Sequence, residues 1–345
     1  MLAFLKLIFG GSMYHSRFKG SHYEAGFKYG NILSKNNINP LSKIKISKER
    51  KDFSDKCMPI YKEFFPEIIE EIKGIADGLS CNNIKINYKY IADFLFTIYA
   101  FTFENKCSSF AFKTDDNIIL AKNSDFIKSI KKYCDSVYYK LIDSYSFIAN
   151  TTAFIEMEDG INEKGLACAL TFVYPVKINY GFNAGMLVRY ILEKCNDVNE
   201  ALSFLEEVPI SSSQNIIIAD RNYNIALVEC NCDKKHIIKN DYVFTSNLFV
   251  SECMRVYQTD LEDDVHSHER YNTLENAFKN YKYNLDFSKE LLSGKYGFMC
   301  QYEKKDDIDT IWSSIYSIKD KKIYRAKGNP SRNTFKEDKR LKFSY

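Results

Sequence analysis

The stretch that decides the fold is KCSSFAFKTDDNIILAKNSDF, residues 106–126. Two mainly apolar runs, residues 109–112 and 118–123, flank the polar residues 114–117, which favour a turn. Short runs joined in this way predict an antiparallel β-hairpin. Cys107 lies at the start of the first predicted strand, and polar residues gather at the end of the second.

Antiparallel pairing returns the end of the second strand to the start of the first. We therefore expect Lys122, Asn123 and Asp125 beside Cys107. The hairpin would place a thiol next to a cation, an amide and a carboxylate, which are groups that activate a nucleophile.

The residues before the hairpin have a helical pattern. Apolar residues recur at spacings of three and four in residues 22–33 and 47–75, as in Phe64, Ile68 and Ile72, and Gly78 is expected to close the second helix. After the hairpin, the pattern predicts strands at 136–142, 147–155, 166–172, 215–219 and 225–230, helices at 184–195, 198–206 and 268–281, and a hairpin of 311–318 with 322–326. No linker or internal repeat interrupts this order, which favours one domain with layered sheets.

Charge and hydropathy exclude several kinds of partner. The 48 basic and 45 acidic residues nearly cancel and are scattered, so we predict no binding to nucleic acid. The apolar run at residues 2–8 is interrupted by Lys6 and is too short to span a bilayer. We predict no membrane span, and we favour a cytoplasmic enzyme over one with this poor signal sequence.

The ten cysteines lack the dense, regular spacing of a disulfide scaffold, which fits a reducing compartment. Cys230, Cys232 and His236 lack a second ligand pair with zinc-like spacing. No glycine-rich phosphate loop is present. We predict neither a metal nor a cofactor.

Two segments of the hairpin resemble a known family. Cys-Ser-Ser-Phe from Cys107 and Lys-Asn-Ser-Asp-Phe from Lys122 are similar to the Cys-Thr-x-x and Arg-Asn-x-Asp-Trp signature of the choloylglycine hydrolases and the penicillin acyl-coenzyme A acyltransferases, and the latter match better. Further segments resemble the family in the same order: residues 21–26, 161–166, 215–229, 245–247, 310–314 and 328–330.

This resemblance implies an α+β fold, the four-layer αββα sandwich of the N-terminal nucleophile hydrolases with a mainly helical N-terminal leader. In that family an inactive precursor cuts the peptide bond before the cysteine. Here the cut would fall between Lys106 and Cys107, and it would give a leader of residues 1–106 and a catalytic chain of residues 107–345 within one globular domain. We expect the two chains to stay associated, and a homo-oligomer is left open.

The resemblance also implies roles for individual residues. Asp125 would orient and polarise the amine of Cys107, and Asn247 would donate to an oxyanion through its side-chain amide. Lys122 stands where the hydrolases carry an arginine, and it would supply positive charge near the thiolate. Asn123 would buttress the hairpin.

The sequence also departs from the family. Lys106 precedes the cut where many relatives have a small residue, and Asp306 and Asp307 replace an arginine of the acyltransferases just before Thr310. Thr171 stands where bile-salt hydrolases carry an oxyanion asparagine, so it is a candidate oxyanion or pocket residue. These departures argue against specific bile-salt hydrolysis and leave coenzyme A thioester chemistry open.

A terminal cysteine carries its own base. The α-amine has a reference pKa of about 7.7 to 8.0, so a useful fraction is neutral near pH 7 and can accept the thiol proton. We therefore expect a self-processing amidase or acyltransferase that attacks a small acyl amide, with water or an amine as acceptor. The alternatives are a cysteine hydrolase with a separate histidine base and no chain cleavage, and a non-catalytic ligand-binding protein.

Overall fold

The structure is a computed structural model of the chain. It describes residues 13–36, 38–39, 41, 44–81, 84–101, 105–259, 266–302 and 307–345. The apolar run at residues 2–8 and Asp306 lie outside the described residues. Within them, no helix is both long enough and apolar enough to cross a membrane.

The described residues form helices and strands in a mixed order. The helices are α1 (His22–Lys35), α2 (Lys48–Phe64), α3 (Pro66–Ser80), α4 (Tyr88–Leu95), α5 (Ala184–Lys194), α6 (Val198–Glu207), α7 (Glu252–Arg255), α8 (Ser267–Asn280) and α9 (Leu285–Leu292). The strands are β1 (Arg17–Gly20), β2 (Asn105–Lys113), β3 (Ile118–Ile127), β4 (Asp135–Leu141), β5 (Phe147–Thr151), β6 (Asp159–Asn162), β7 (Ala167–Phe172), β8 (Gln214–Ala219), β9 (Ile225–Cys230), β10 (Lys235–Lys239), β11 (Tyr242–Thr245), β12 (Ile308–Ser317), β13 (Lys322–Lys327) and β14 (Lys336–Glu337).

The strands form two sheets. Sheet A has eight strands in the order β1-β4-β5-β6-β7-β8-β9-β10, and sheet B has six in the order β11-β2-β3-β12-β13-β14. The predicted hairpins β2/β3 and β12/β13 are both present, and β3 also pairs antiparallel with β12. Cys107 therefore lies on an inner strand of sheet B, with Ser124 directly opposite on β3.

Three apolar cores separate four layers. Leader helices and α5 pack on the outer face of sheet A, through residues such as Ile72 and Leu170. Residues of both sheets, such as Leu120 and Ile217, fill the space between them. Helices α8 and α9 cover the outer face of sheet B, where Phe110 is buried. This is the predicted αββα arrangement, since each sheet must bury both faces.

The helical prediction for residues 47–75 missed a break. The structure ends α2 at Phe64 and begins α3 at Pro66, with Phe65 between them at φ −148° and ψ 60°. A proline disfavours the helical conformation of the residue before it and is well tolerated in the first turn of a helix. The proline therefore divides the predicted helix into two.

The expectation that Gly78 closes a helix is wrong, because α3 continues to Ser80. Gly78 and Gly74 of α3 instead face Gly26 and Gly30 of α1, where the two backbones touch. A Cβ atom at any of the four would lie 2.0–2.2 Å from a carbonyl oxygen of the other helix. These glycines allow an approach that no side chain permits.

Strand β5 is shorter than its prediction, which extended to residue 155. It ends at Thr151, and Phe154 adopts a left-handed φ of 61° in the turn that follows. This turn leads the chain to two buried carboxyl groups, Glu156 and Glu158, of which Glu158 lies beside Lys122 of the Cys107 hairpin.

Candidate active site

Cys107 is completely buried on β2, and both of its backbone polar groups are held by side chains. Its N–H donates to Oδ1 of Asn247 at 2.8 Å. Its carbonyl oxygen accepts from Nη1 of Arg270. The nitrogen of the peptide bond between Lys106 and Cys107 is thus hydrogen-bonded to Asn247, which lies 140 positions away in the sequence.

Three hydrogen bonds determine the orientation of Asn247. Its Oδ1 accepts from Cys107 and also from Nη2 of Arg270 at 2.8 Å, while its Nδ2 donates to the carbonyl oxygen of Phe172 at 2.8 Å. One N–H of the amide nitrogen that the predicted oxyanion role requires therefore donates to Phe172, and the amide oxygen faces the cysteine. The nitrogen carries a second N–H, so the oxyanion role stays a prediction.

Thr171 acts on the neighbour of Asn247. Its hydroxyl donates to the carbonyl oxygen of Ser246 at 2.6 Å and accepts from Nδ2 of Asn215 at 3.1 Å. These bonds hold the segment that ends β11 against β7. In the structure, Thr171 positions the Ser246–Asn247 peptide from within the protein interior.

Arg270 is a member of the site that the sequence interpretation missed. It is completely buried, and besides Cys107 and Asn247 it donates to Oγ of Ser108 at 2.8 Å. A signal was available, because Arg270 occupies the apolar face of α8 with Thr273, Leu274, Ala277 and Phe278. A cation on the buried stripe of an amphipathic helix needs buried partners.

Lys122 shares a face of sheet B with Cys107, because cross-strand pairing sets Lys122 opposite Ser109 and Ser124 opposite Cys107. Its ammonium interacts electrostatically with the cysteine thiol and donates to the carbonyl oxygen of Glu158 at 3.0 Å. Oε2 of Glu158 is 3.8 Å from the same ammonium. Lys122 therefore bridges the thiol and a buried carboxyl group.

The remaining hydrogen bonds of the Glu158 carboxylate all go to one of its two oxygens. Its Oε1 accepts from the hydroxyl of Thr152 at 2.8 Å and from that of Tyr99 at 3.2 Å, whereas Oε2 has no hydrogen-bond partner among the described residues. Tyr99 belongs to the predicted leader. A residue that precedes the expected cut, Tyr99, thus belongs to the polar groups around Cys107.

Burial dominates the acid–base state of these groups. It raises the pKa of the Cys107 thiol to about 12, although Lys122 and Arg270 oppose the shift. It also raises the pKa of Glu158 to about 7, again against the opposing effect of Lys122. The thiol of the intact chain is therefore neutral near pH 7 and needs an acceptor for its proton before it can attack.

Asp125 lies on the other face of β3, toward α8 and α9. Its carboxylate accepts hydrogen bonds from the hydroxyls of Thr310 and Tyr302, at 2.5 and 3.0 Å. Burial raises its pKa to about 6, partly offset by Arg270 and these two donors. Because Asp125 pairs across the strands with Lys106, it stands beside the bond that the cut would break.

Asn123 also points toward the helices. Its Nδ2 donates to the carbonyl oxygen of Leu292 at 2.9 Å, and its Oδ1 accepts from the hydroxyl of Ser313 at 2.5 Å. The predicted polar group is therefore divided by the strand: Lys122 reaches the thiol, and Asn123 and Asp125 occupy the opposite face. Alternation of side chains along a strand requires this division.

A comparison with protein families assigns the chain to one of them. The model of the acyl-coenzyme A:6-aminopenicillanic acid acyl-transferase family matches residues 112–332, which include Lys122, Asp125, Asn247 and Arg270. No curated protein matches the chain.

Two solved structures are similar at low identity. One is a mutant of the conjugated bile acid hydrolase from Clostridium perfringens, with 14% identity and a TM-score of 0.45, covering 69% of this chain and 98% of that one. The other is penicillin V acylase from Agrobacterium tumefaciens, with 12% identity and a TM-score of 0.40, covering 64% of this chain and 82% of that one.

Proposed function

Because the chain belongs to the acyl-coenzyme A:6-aminopenicillanic acid acyl-transferase family, we propose that it is a self-processing N-terminal cysteine amidase or acyltransferase. Its substrates would be linear, non-peptide amides, and its intermediate an acyl group on the sulfur of Cys107. One observation carries the proposal: Asn247 and Arg270 hold the two backbone polar groups of Cys107, whose thiol also interacts electrostatically with Lys122.

Self-processing would begin with the thiol of Cys107. The sulfur adds to the carbonyl carbon of Lys106, the carbon–nitrogen bond breaks, and the departing nitrogen takes the thiol proton. A thioester then links the carbonyl group of Lys106 to the sulfur. Water hydrolyses it, which leaves a carboxylate on Lys106 and a free thiol and amine on Cys107.

The new amine would remain near the oxygen of Asn247, which already accepts from the same nitrogen in the intact chain. A hydrogen bond donated by the amine to this oxygen leaves the lone pair of the nitrogen directed elsewhere, where it can accept the thiol proton. Asn247 therefore serves this proposal as an acceptor that orients the amine. Asp125, beside the cut, would stabilise the protonated form of that amine.

Turnover would repeat the chemistry on an external amide. The thiolate attacks the acyl carbon, the amine returns the proton to the leaving nitrogen, and the acyl group stays on Cys107 as a thioester. Water or a second amine then attacks the thioester, and the thiol is regenerated. Lys122 favours the thiolate through its charge, and Glu158 holds Lys122 in place.

The leader would remain part of the enzyme. Tyr99, which bonds Glu158, lies before the cut, and the predicted leader contributes α1 to α4 to the core on sheet A. Removing the leader would expose that apolar face to water. We also propose a cytoplasmic location, which the absence of disulfides among the ten described cysteines supports.

Intact-mass measurement of purified protein tests self-processing. Wild type should give two chains that separate only under denaturing conditions, the larger beginning at Cys107. Cys107→Ala should remain whole and inactive. Cys230→Ala, which changes a cysteine buried in the sheet A core, should be processed like wild type.

The outcomes are distinct. A wild-type chain that hydrolyses acyl amides while its backbone is unbroken at Cys107 would contradict the proposal and favour a separate histidine base, which replacing each of the five histidines by alanine would identify. A chain that neither cleaves nor reacts with acylating reagents would favour a non-catalytic binding protein.

A further inference from the structure

A polar cavity lies outside the active site, at the edge of the sandwich where β13 and β14 end sheet B. Its volume is about 670 Å³, and its lining includes six basic side chains and only two acidic ones. The surrounding sequence is unusually basic, since residues 319–342 contain ten Lys or Arg against three Asp or Glu. The scattered charge of the chain as a whole therefore hides a local excess of cations.

Arg325 of β13 is the buried member of this cavity, with a side chain only 3% exposed. Its Nη1 pairs with the carboxylate of Asp338 at 2.7 Å. Its Nε and Nη2 have no hydrogen-bond partner among the described residues. These two nitrogens form one edge of the guanidinium plane, and an unsatisfied pair of buried donors is costly unless a ligand fills it.

The cations around Arg325 are held in place. Arg340 is bonded to Asp338 and to both the carbonyl oxygen and the hydroxyl of Ser136, and Arg332 pairs with Asp309. These bonds fix the positions of the two arginines, and the six cations of the lining still outnumber its two carboxylates. The site is thus preorganised before any ligand arrives.

Lys327 adds a further positive charge, which Asp338 opposes only in part. Within the described chain it forms no ion pair, and partial burial together with Arg325, Arg340 and Lys336 lowers the pKa of its ammonium. Mutual repulsion of this kind is relieved by an anion placed between the cations. The requirement is for more than one negative charge in a compact group.

We propose that this cavity binds the phosphate group of a phosphorylated small molecule, with two phosphate oxygens on the Nε and Nη2 edge of Arg325 and the remaining charge facing Lys327. An arginine edge matches a pair of phosphate oxygens in spacing and direction. A phosphate ester carries about two negative charges near neutral pH, as the cavity requires. Its volume leaves room for the organic part of such a molecule.

The cavity is separate from the catalytic cysteine. Cys107 pairs with Ser124, Ser124 with Trp312 and Trp312 with Lys327, so three strand spacings, roughly 14 Å, lie between the two backbones. Binding here does not depend on self-processing. A failure of anion binding would therefore leave the proposed catalytic function untouched, and a failure of self-processing would leave the proposed anion site untouched.

Calorimetric titration of the full chain with inorganic pyrophosphate, and with sulfate and citrate for comparison, at constant ionic strength, tests the site. Wild type should bind pyrophosphate saturably at one site, and sulfate and citrate at least about tenfold more weakly. Arg325→Lys keeps the charge but lacks the paired edge, and it should lose at least about tenfold in affinity, as should Lys327→Ala. Cys107→Ala should bind like wild type.

A matched control removes a cation elsewhere. Lys73→Ala changes the net charge by the same amount as Lys327→Ala, but at an exposed lysine of α3. It should leave the affinity for pyrophosphate unchanged. Thermal unfolding of each variant shows that it is folded. Absence of saturable pyrophosphate binding to wild type, or an equal loss in Lys73→Ala, would overturn the proposal, as would citrate binding as tightly as pyrophosphate.

Discussion

The two groups of buried charges that join the leader to the rest of the protein differ in how completely they are paired. Near Cys107, Glu158 stands 3.8 Å from Lys122 and leaves one carboxylate oxygen without a hydrogen bond among the described residues. On the other side of sheet A, Arg189 binds Glu71 at 2.7 Å and Glu193 at 2.8 Å. We call Lys122 and Glu158 the loose pair, and Arg189, Glu71 and Glu193 the tight group.

The charged groups of Arg189, Glu71 and Glu193 all have close partners. Arg189 also donates to a backbone carbonyl oxygen and lies 4.1 Å above the ring of Tyr139, whose hydroxyl donates to Glu71. His22 of the leader contacts Glu193. Burial alone would raise the pKa of Glu193, but Arg189 and His22 reverse the shift and lower it to about 2.

The difference separates a structural role from a chemical one. Glu193 stays ionised at any pH near neutrality, so its group can only hold α5 against the leader. Glu158, with a pKa near 7, can gain or lose a proton beside the thiol. Incomplete pairing keeps a buried group able to change its charge, and complete pairing prevents it.

The largest expected effect comes from breaking the tight group. Arg189→Met leaves Glu71 and Glu193 buried without their cation, and it should lower the free energy of unfolding by about 3 to 5 kcal/mol. Urea denaturation measures the change. Lys73→Met, which breaks an exposed ion pair with Glu70, should cost under about 1 kcal/mol. Similar losses in both variants would remove the distinction between the groups.

Breaking the loose pair should affect chemistry more than stability. Lys122→Met removes the charge beside the thiol, and we expect self-processing and turnover to slow by about a hundredfold. The unfolding free energy should change much less than in Arg189→Met, because Glu158 can bind a proton. Rates from intact-mass time courses decide this, with Lys113→Met, at the far end of the hairpin, as the control.

Lowering the pH should reduce the stability that the group of Arg189, Glu71 and Glu193 provides. The pKa of Glu193 is lower in the folded chain than in the unfolded chain, so its stabilising contribution is complete above about pH 4.5 and is lost as the pH falls toward 2. Glu193→Gln should begin less stable at neutral pH but lose less on acidification. Parallel curves for wild type and variant between pH 4.5 and 2 would show that the pairing is not what lowers this pKa.

The effect expected from Glu158 is similar in size and has the opposite sign, because the two pKa values are displaced by similar amounts in opposite directions. Its pKa is raised to about 7, so the folded chain binds the extra proton and its contribution to stability falls as the pH rises from about 4.5 to 7. Glu158→Gln should flatten the stability curve across that window. Unfolding midpoints at several pH values test it, and a variant curve as steep as that of wild type would assign the dependence to another group.

Local patterns in the sequence were enough to predict the hairpin of Cys107, one domain with layered sheets and most of the strands, whereas the αββα class followed from the family resemblance. The β2/β3 register follows from a four-residue turn and from the alternation of side chains, which involve only neighbours in the chain. The break at Pro66 was also readable from a local rule, and it was missed because apolar periodicity was extended across it.

The sequence alone thus determined which residue carries the thiol and which polar residues lie on its hairpin. Only the tertiary structure decided what touches that thiol: the orientation of Asn247, the arrival of Arg270 from α8, and the pairing of Lys122 with Glu158. Residues far apart in sequence meet where layers pack, and which face and rotamer they present depends on the whole core. No local periodicity encodes those contacts.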